Sequence, residues 1–328
     1  MNRRTAVGIL AALGVAPFMV VAQPGRRVPV IGFLHPGFEA SGTGPGKIMT
    51  GLLDGLRALA YVEGESIKIE PRWAQGKAEA LPGLAQELVR HKVNVLVAVS
   101  PTAVRAAKAA TNDVPIVALD LESDPVASGF VASPARPNGN LTGVFLDLPG
   151  LAAKWLQLIR EVTPGLRRVD VLWDANTGES QLSAIKAAAQ AMAVSVQVLA
   201  FRDSNEIDLV FNAKAQERSQ AVVQLGSPLI NLSAQRIAGM LAARKLPAIS
   251  PFRSFPEAGG LMSYGPDLLA TYLSLAPIIS KILKGGRPGD LPIEQPSRFE
   301  MLVNLKAAQA LGLIIPQAVL LRADEVIR

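Results

Sequence analysis

Residues 95–107, VLVAVSPTAVRAA, and residues 222–234, VVQLGSPLINLSA, are two versions of one local design. Each is an apolar run of strand length, then Ser-Pro, then a segment with helical character. Proline at a first helical position lacks only an N–H that the helix does not use, and serine before it is a favoured N-cap. A chain that builds the same corner twice is constrained to two similar α/β units, and its flanks agree.

The first half alternates short β-like runs with helical patterns. Strands are expected at 28–34, 66–73, 93–99 and 114–120, and helices at 46–64, 78–92 and 101–111. The helix at 46–64 places Ile48, Leu52, Leu56 and Leu59 on one stripe. The strands are almost wholly apolar, as strands covered on both faces are. The stretch 132–145, ASPARPNGNLTGVF, reads as punctuation, and the series then restarts. Helices are expected at 149–162, 179–192, 205–217 and 231–244, and strands at 167–173, 194–201, 220–225 and 246–250. Strands joined by helices give doubly wound parallel sheets with right-handed crossovers. The fold class expected is therefore α/β, two Rossmann-like lobes with parallel sheets.

With 328 residues, 49% of them hydrophobic, the chain can support two cores. The net charge of +6 is scattered, with no basic run interleaved with aromatics, so no nucleic-acid partner is expected. Residues 1–22 read as a cleavable signal peptide: Arg3 and Arg4 precede an uncharged stretch from Ala6 to Val21, with Val20 and Ala22 before the cut. The Arg pair permits either of two export routes. There is no cysteine, which excludes disulfides, thiol catalysis and a lipid-modified cysteine after the signal. An exported protein without that anchor points to a Gram-negative periplasm. Two histidines make a multi-histidine metal centre improbable, and no cofactor is expected.

Open α/β sheets bind ligands at the carboxyl ends of their strands, and that is where the candidate site residues lie. Ser100 and Ser227 either cap helices only, or together with free N–H groups and Thr102 receive a ligand anion. Asp120, Glu122 and Asp124 follow a strand and could accept bonds from an ammonium group; Asp124 before Pro125 is equally an ordinary turn starter. His35 ends the first strand of one half, and Trp173 with Asn176 ends the first strand of the other. Trp173 can stack a ligand ring or simply pack in the core. Tyr264 lies in the dense stretch 251–268. No G-x-G-x-x-G, P-loop, G-x-S-x-G or H-E-x-x-H motif occurs. Catalysis is not expected; the alternative is a periplasmic α/β enzyme acting on a small carboxylate through Ser100 or Asp120.

The chain resembles the ABC-transporter substrate-binding proteins related to tryptophan- and tyrosine-binding lipoproteins. The stretches that carry the resemblance are 55–76, 96–108, 124–144, 259–268, 281–313 and 323–327, above all the segment at Asp124–Pro125 and LPIEQP at 291–296. The resemblance implies a type I periplasmic-binding-protein architecture with a hinge. Lobe 1 would comprise 23–145 plus about 265–295, and lobe 2 would comprise 146–264 plus about 296–328. It further implies a receptor for a small solute, an amino acid, aromatic ones included, or a related carboxylate, held between the lobes and delivered to an inner-membrane ABC permease; a monomer is expected. By position it assigns the carboxylate loop to Ser100 and Thr102, the acidic loop to Asp124, and the facing edge to Trp173, Asn176, Ser227 and Tyr264.

Overall fold

The computed structural model describes residues 28–38, 46–146, 148–213 and 219–328. The expected signal peptide lies outside the described residues. The chain forms two sheets, each built by strand–helix alternation.

The first sheet is assembled from β1 (Val30–His35), α1 (Gly46–Ala58), β2 (Lys68–Trp73), α2 (Leu81–Arg90), β3 (Val95–Val99), α3 (Ser100–Ala110), β4 (Ile116–Asp120) and β5 (Leu141–Phe145). Its order is β2-β1-β3-β4-β5, with every neighbouring pair parallel. Strands β3, β4 and β5 are buried at every position, and for β3 and β4 that burial shows in the sequence as apolar runs.

The second region runs through α4 (Ala152–Val162), β6 (Arg168–Asp174), α5 (Ser180–Ala191), β7 (Ser195–Phe201), α6 (Glu206–Ala213), β8 (Ala221–Gln224), α7 (Pro228–Leu232), α8 (Ala234–Ala243), β9 (Ala248–Ser250), α9 (Ser254–Glu257) and β10 (Met262–Pro266). After β10 the chain returns to the first region as α10 (Leu268–Leu283), which packs along α1. It then comes back with β11 (Phe299–Asn304), α11 (Leu305–Leu311), α12 (Gln317–Leu320) and β12 (Glu325–Ile327). The second sheet has the order β12-β11-β10-β9-β8-β6-β7. Its pairs are parallel except β10 with β11, which run antiparallel because the chain re-enters from the opposite side.

Four strands, β5, β10, β11 and β12, lie where no strand was expected. β5 sits in the stretch read as punctuation. Its Gly143 has φ of 145°, and a Cβ there would fall 2.0 Å from the Ala118 carbonyl oxygen. The glycine that looks like a turn signal is the residue that lets β5 lie against β4. β10 carries Gly265 and Pro266, which also mimic a turn, and β12 is three residues long. The single helix expected at 231–244 is two helices, α7 and α8, meeting at Ser233.

One continuous apolar core runs from β1 and β3 through Leu146 and Leu148 to β6 and β8. Trp155 is its largest wholly buried side chain, and its Nε1 donates to the Tyr264 carbonyl at 2.8 Å. Removing that ring from water is worth about 4–6 kcal/mol.

Candidate functional site

The two Ser-Pro corners are alike in sequence and unlike in structure. Ser227 is an N-cap. Its Oγ accepts the N–H of Leu229 at 3.0 Å and donates to Asp174 Oδ2 at 2.6 Å. The turn before it is held by Gln181, whose amide exchanges two hydrogen bonds with the Gly226 backbone, at 2.7 and 2.9 Å. Ser100 caps nothing. It opens α3 with φ of +82°, a left-handed conformation a serine rarely adopts, and its Oγ pairs with Thr102 Oγ1 at 2.9 Å. The capping expected of Ser100 is thus corrected. With its backbone turned into that region, the hydroxyl points to Thr102, and the first N–H groups of α3 keep no side-chain acceptor.

Between the carboxyl edges of the two sheets is a cavity of about 40 Å³. From the first region it is lined by His35, Val99, Ser100, Leu119, Leu121, Glu122, Leu268 and Tyr272, and from the second by Pro228, Asn231, Leu232 and Phe252. A smaller pocket of about 20 Å³ continues it past Ser100, Pro101 and Thr102 on one side and Asp174, Asn176 and Thr177 on the other. The two regions also touch directly: Arg105 Nη2 donates to the Asn176 carbonyl at 3.1 Å. A wider concavity of about 1500 Å³ lies at the opposite end of the first sheet, around Pro29, Asn94 and Arg287. It is away from the carboxyl ends where α/β sheets hold ligands.

The cavity is acidic within an apolar wall. Asp120, at the end of β4, is fully buried. Its Oδ1 accepts the N–H groups of Glu122 and Ser123, both at 3.0 Å, and Oδ2 accepts the Ser123 hydroxyl. Burial nevertheless pushes its pKa up to about 6. Glu122 is 4% exposed; Oε2 accepts the Leu121 N–H at 3.2 Å. Burial first, and then the neighbouring Asp120 charge, hold its pKa well above the usual carboxylate range. Asp174, reaching from the other sheet, is also raised by burial, although Ser227 and Asn176 donate to it. His35 has its pKa lowered by burial to about 3, so it is neutral; its Nδ1 accepts the Gly37 N–H at 2.9 Å, which leaves the proton on Nε2. The imidazole packs in a three-ring cluster with Phe33 and Trp73, at centroid distances of 6.0 and 4.9 Å, and those two rings lie 5.4 Å from each other.

Of the residues singled out from the sequence, His35 and Ser100 line the main cavity and Ser100, Thr102 and Asn176 line its extension, while Asp120 and Ser227 support the walls from behind. Three lie elsewhere. Asp124 is exposed, and its Oδ1 accepts the Val126 and Ala127 N–H groups at 2.7 and 2.8 Å, the turn-starting alternative. Trp173 packs half-buried on the core and donates to the Gly178 carbonyl at 3.0 Å. Tyr264 packs on Phe299 at 6.4 Å. Neither lines the cavity. Glu122, weighed from the sequence as an ammonium acceptor beside Asp120, lines the main cavity, and Asn231, Phe252 and Tyr272 are among the lining residues not singled out. Tyr272 carried no local signal, because α10 returns to the first region from far along the chain. Glu122 was visible in the run ALDLESDP, two residues beyond Asp120 in a strand-end turn.

Two α/β sheets whose carboxyl edges face a shared small cavity define the type I periplasmic-binding-protein fold, and solved structures of that fold align with this one. The chain belongs to the ABC transporter substrate binding protein family, whose model matches residues 40–327. It is 23% identical over 271 residues to a tyrosine-binding protein of Clostridioides difficile, covering 81% of this chain and 77% of that one. A crystal structure of the ABC domain from Streptococcus pneumonia in complex with L-Trp superposes with a TM-score of 0.82 at 25% identity, covering 91% and 99% of the two chains. The ligand-free, open structure of CD0873, a substrate-binding protein with adhesive properties from Clostridium difficile, superposes at 0.63 with 23% identity, covering 92% and 99%.

Proposed function

We propose that this chain is the extracytoplasmic solute receptor of an ABC importer, and that it captures a small solute, an aromatic amino acid in the first instance, in the cavity between the two sheets. The observation that carries the reading is the lining itself: a few polar groups converge in an apolar cavity walled by both regions, and at about 40 Å³ it is smaller than such a solute, which enters as the two regions part and is held as they close on it. The stronger superposition on the L-Trp complex than on the open, ligand-free structure supports a closed arrangement here. In this reading the uncapped start of α3, with Ser100 and Thr102, receives a carboxylate. Such a helix end favours an anion by roughly 0.3–2 kcal/mol. The backbone strain at Ser100 is what keeps those N–H groups free of their own capping side chain.

The reading places the mature receptor in the periplasm after removal of residues 1–22. It acts as a monomer, delivers its solute to a permease in the inner membrane, and binds without turnover. No helix among the described residues is long and apolar enough to cross a membrane. The hydroxyl of Ser100 bonds Thr102 rather than a base, which supports binding over nucleophilic catalysis.

Titration calorimetry of the mature chain with L-tryptophan, L-tyrosine and L-phenylalanine tests the proposal, alongside small-angle scattering to follow closure. At least one is expected to bind with micromolar affinity, about −8 kcal/mol, and to reduce the radius of gyration. Absence of binding by every amino acid and every related carboxylate, or conversion of a bound solute to product, would overturn it. Fractionation of cells expressing the full chain should place it in the periplasmic extract, shortened by the signal segment.

A further inference from the structure

The acidity of the cavity has no counter-charge. Asp120 and Glu122 from one region and Asp174 from the other are all buried, and no Lys or Arg lines the cavity in a chain that carries 33 of them. Arg105 acts on Asp120 and Arg202 on Asp174 from outside the lining. Burying carboxyl groups together without a cation is costly, and proteins pair such groups or bring a cation to them.

A second observation is independent of those carboxyls. Tyr272 is 2% exposed, lines the cavity from α10, and its hydroxyl has no hydrogen-bond partner among the described residues. Glu122 is close enough for its charge to act on that hydroxyl. His35 Nε2 is likewise without a partner among the described residues, on a ring that is 2% exposed. Buried polar groups are ordinarily satisfied, so groups left open around one cavity mark where a solute's own polar atoms belong.

The geometry points to a solute that bears a positive charge, a primary amine or amidine on an apolar body, read by Glu122 with Tyr272 beside it. The inference rests on the receptor reading and narrows its substrate class. The ammonium, and not the carboxylate, is then the group the site requires. The apolar body meets Leu119, Leu121, Leu268 and Phe252. An amine brought against Glu122 favours the charged carboxylate that burial disfavours, whereas a carboxylate without an amine leaves Glu122 with no cation beside it.

Four probes that share one apolar body separate the possibilities: phenethylamine, phenylalanine, phenylpropanoate and phenylethanol, titrated into the mature chain and into Glu122→Gln and Tyr272→Phe variants. Phenethylamine and phenylalanine are expected to bind more tightly than phenylpropanoate. Glu122→Gln should weaken both amines about thirtyfold or more, and phenylethanol about threefold or less. Tyr272→Phe, which removes one hydroxyl from a packed ring, should weaken the amines several-fold and keeps the test available if the glutamine variant fails to fold. Tighter binding of phenylpropanoate, or an equal loss for all probes in Glu122→Gln, overturns the cation assignment and leaves the receptor reading standing. Failure of all four to bind overturns the assignment, and the receptor reading survives only if a solute without positive charge is found to bind the chain.

Discussion

The two serines of the matching corners make opposite contributions to stability, and replacing each by alanine measures the difference. In Ser227→Ala the lost groups are a cap on α7 and a donor to the buried Asp174 carboxylate. A serine cap is worth about 1 kcal/mol, and a hydrogen bond to a buried charged group about 1.5–3 kcal/mol. The two losses are nearly independent, because one concerns a backbone N–H and the other a carboxylate, so about 2–4 kcal/mol is expected. Ser100→Ala removes only the hydroxyl pair with Thr102, at a cost of about 1 kcal/mol or less. Ser100→Gly should be near neutral, since relief of about 1 kcal/mol from the positive φ offsets the added freedom of glycine in the unfolded chain. Urea unfolding of the mature chain, followed by tryptophan fluorescence, reads all three at equal m-value. Equal losses at the two positions, or a larger loss at Ser100, would refute the assignment of capping to one corner and strain to the other.

Further outcomes follow from the same contacts. Asp120 titrates near pH 6 in the fold against about 4 unfolded, so the native state binds more protons between those values; stability therefore falls as pH rises from about 4 to 6, by roughly 3 kcal/mol for this group alone, while Glu122 and Asp174 act in the same sense and His35 stays neutral above about 3. Thermal melts across pH 4–7 in constant salt check it, and a rise in melting temperature towards pH 7 would contradict it. Gly143→Ala places a Cβ 2.0 Å from the Ala118 carbonyl at a positive φ, and should leave no folded protein in circular dichroism. Trp155→Phe orphans the Tyr264 carbonyl as well as shrinking a core side chain, at a cost of about 2–4 kcal/mol in urea. Asp124→Ala loses a turn cap worth about 1 kcal/mol but should leave solute affinity within about twofold in calorimetry, because the carboxylate is exposed and outside the cavity.

The fold was largely readable because burial on both faces writes itself into sequence as apolar runs, and the helices between them keep a 3.6-residue stripe. β5 and β10 escaped for one reason: each contains a glycine demanded by close contact with a neighbouring backbone, and locally such a glycine cannot be told from a turn. The site was half readable. Strand-end position found His35, Ser100, Thr102 and Asp120, because strand ends are defined along the chain. Trp173, beside the end of β6, and Tyr264, in the middle of β10, pack away from the cavity, since which face a side chain takes depends on what covers the sheet there.

Local chemistry along the chain determined the strand–helix alternation, the duplicated corner and the acidic run after β4, each set by residues within a few positions of one another. Tertiary structure alone decided that one corner caps its helix while the other is strained and open. It decided too that α10 brings Tyr272 back to face Glu122, and that Asp174 arrives from the opposite sheet. Those arrangements join residues far apart in the chain, and burial, not sequence distance, sets their charge and their hydrogen bonds.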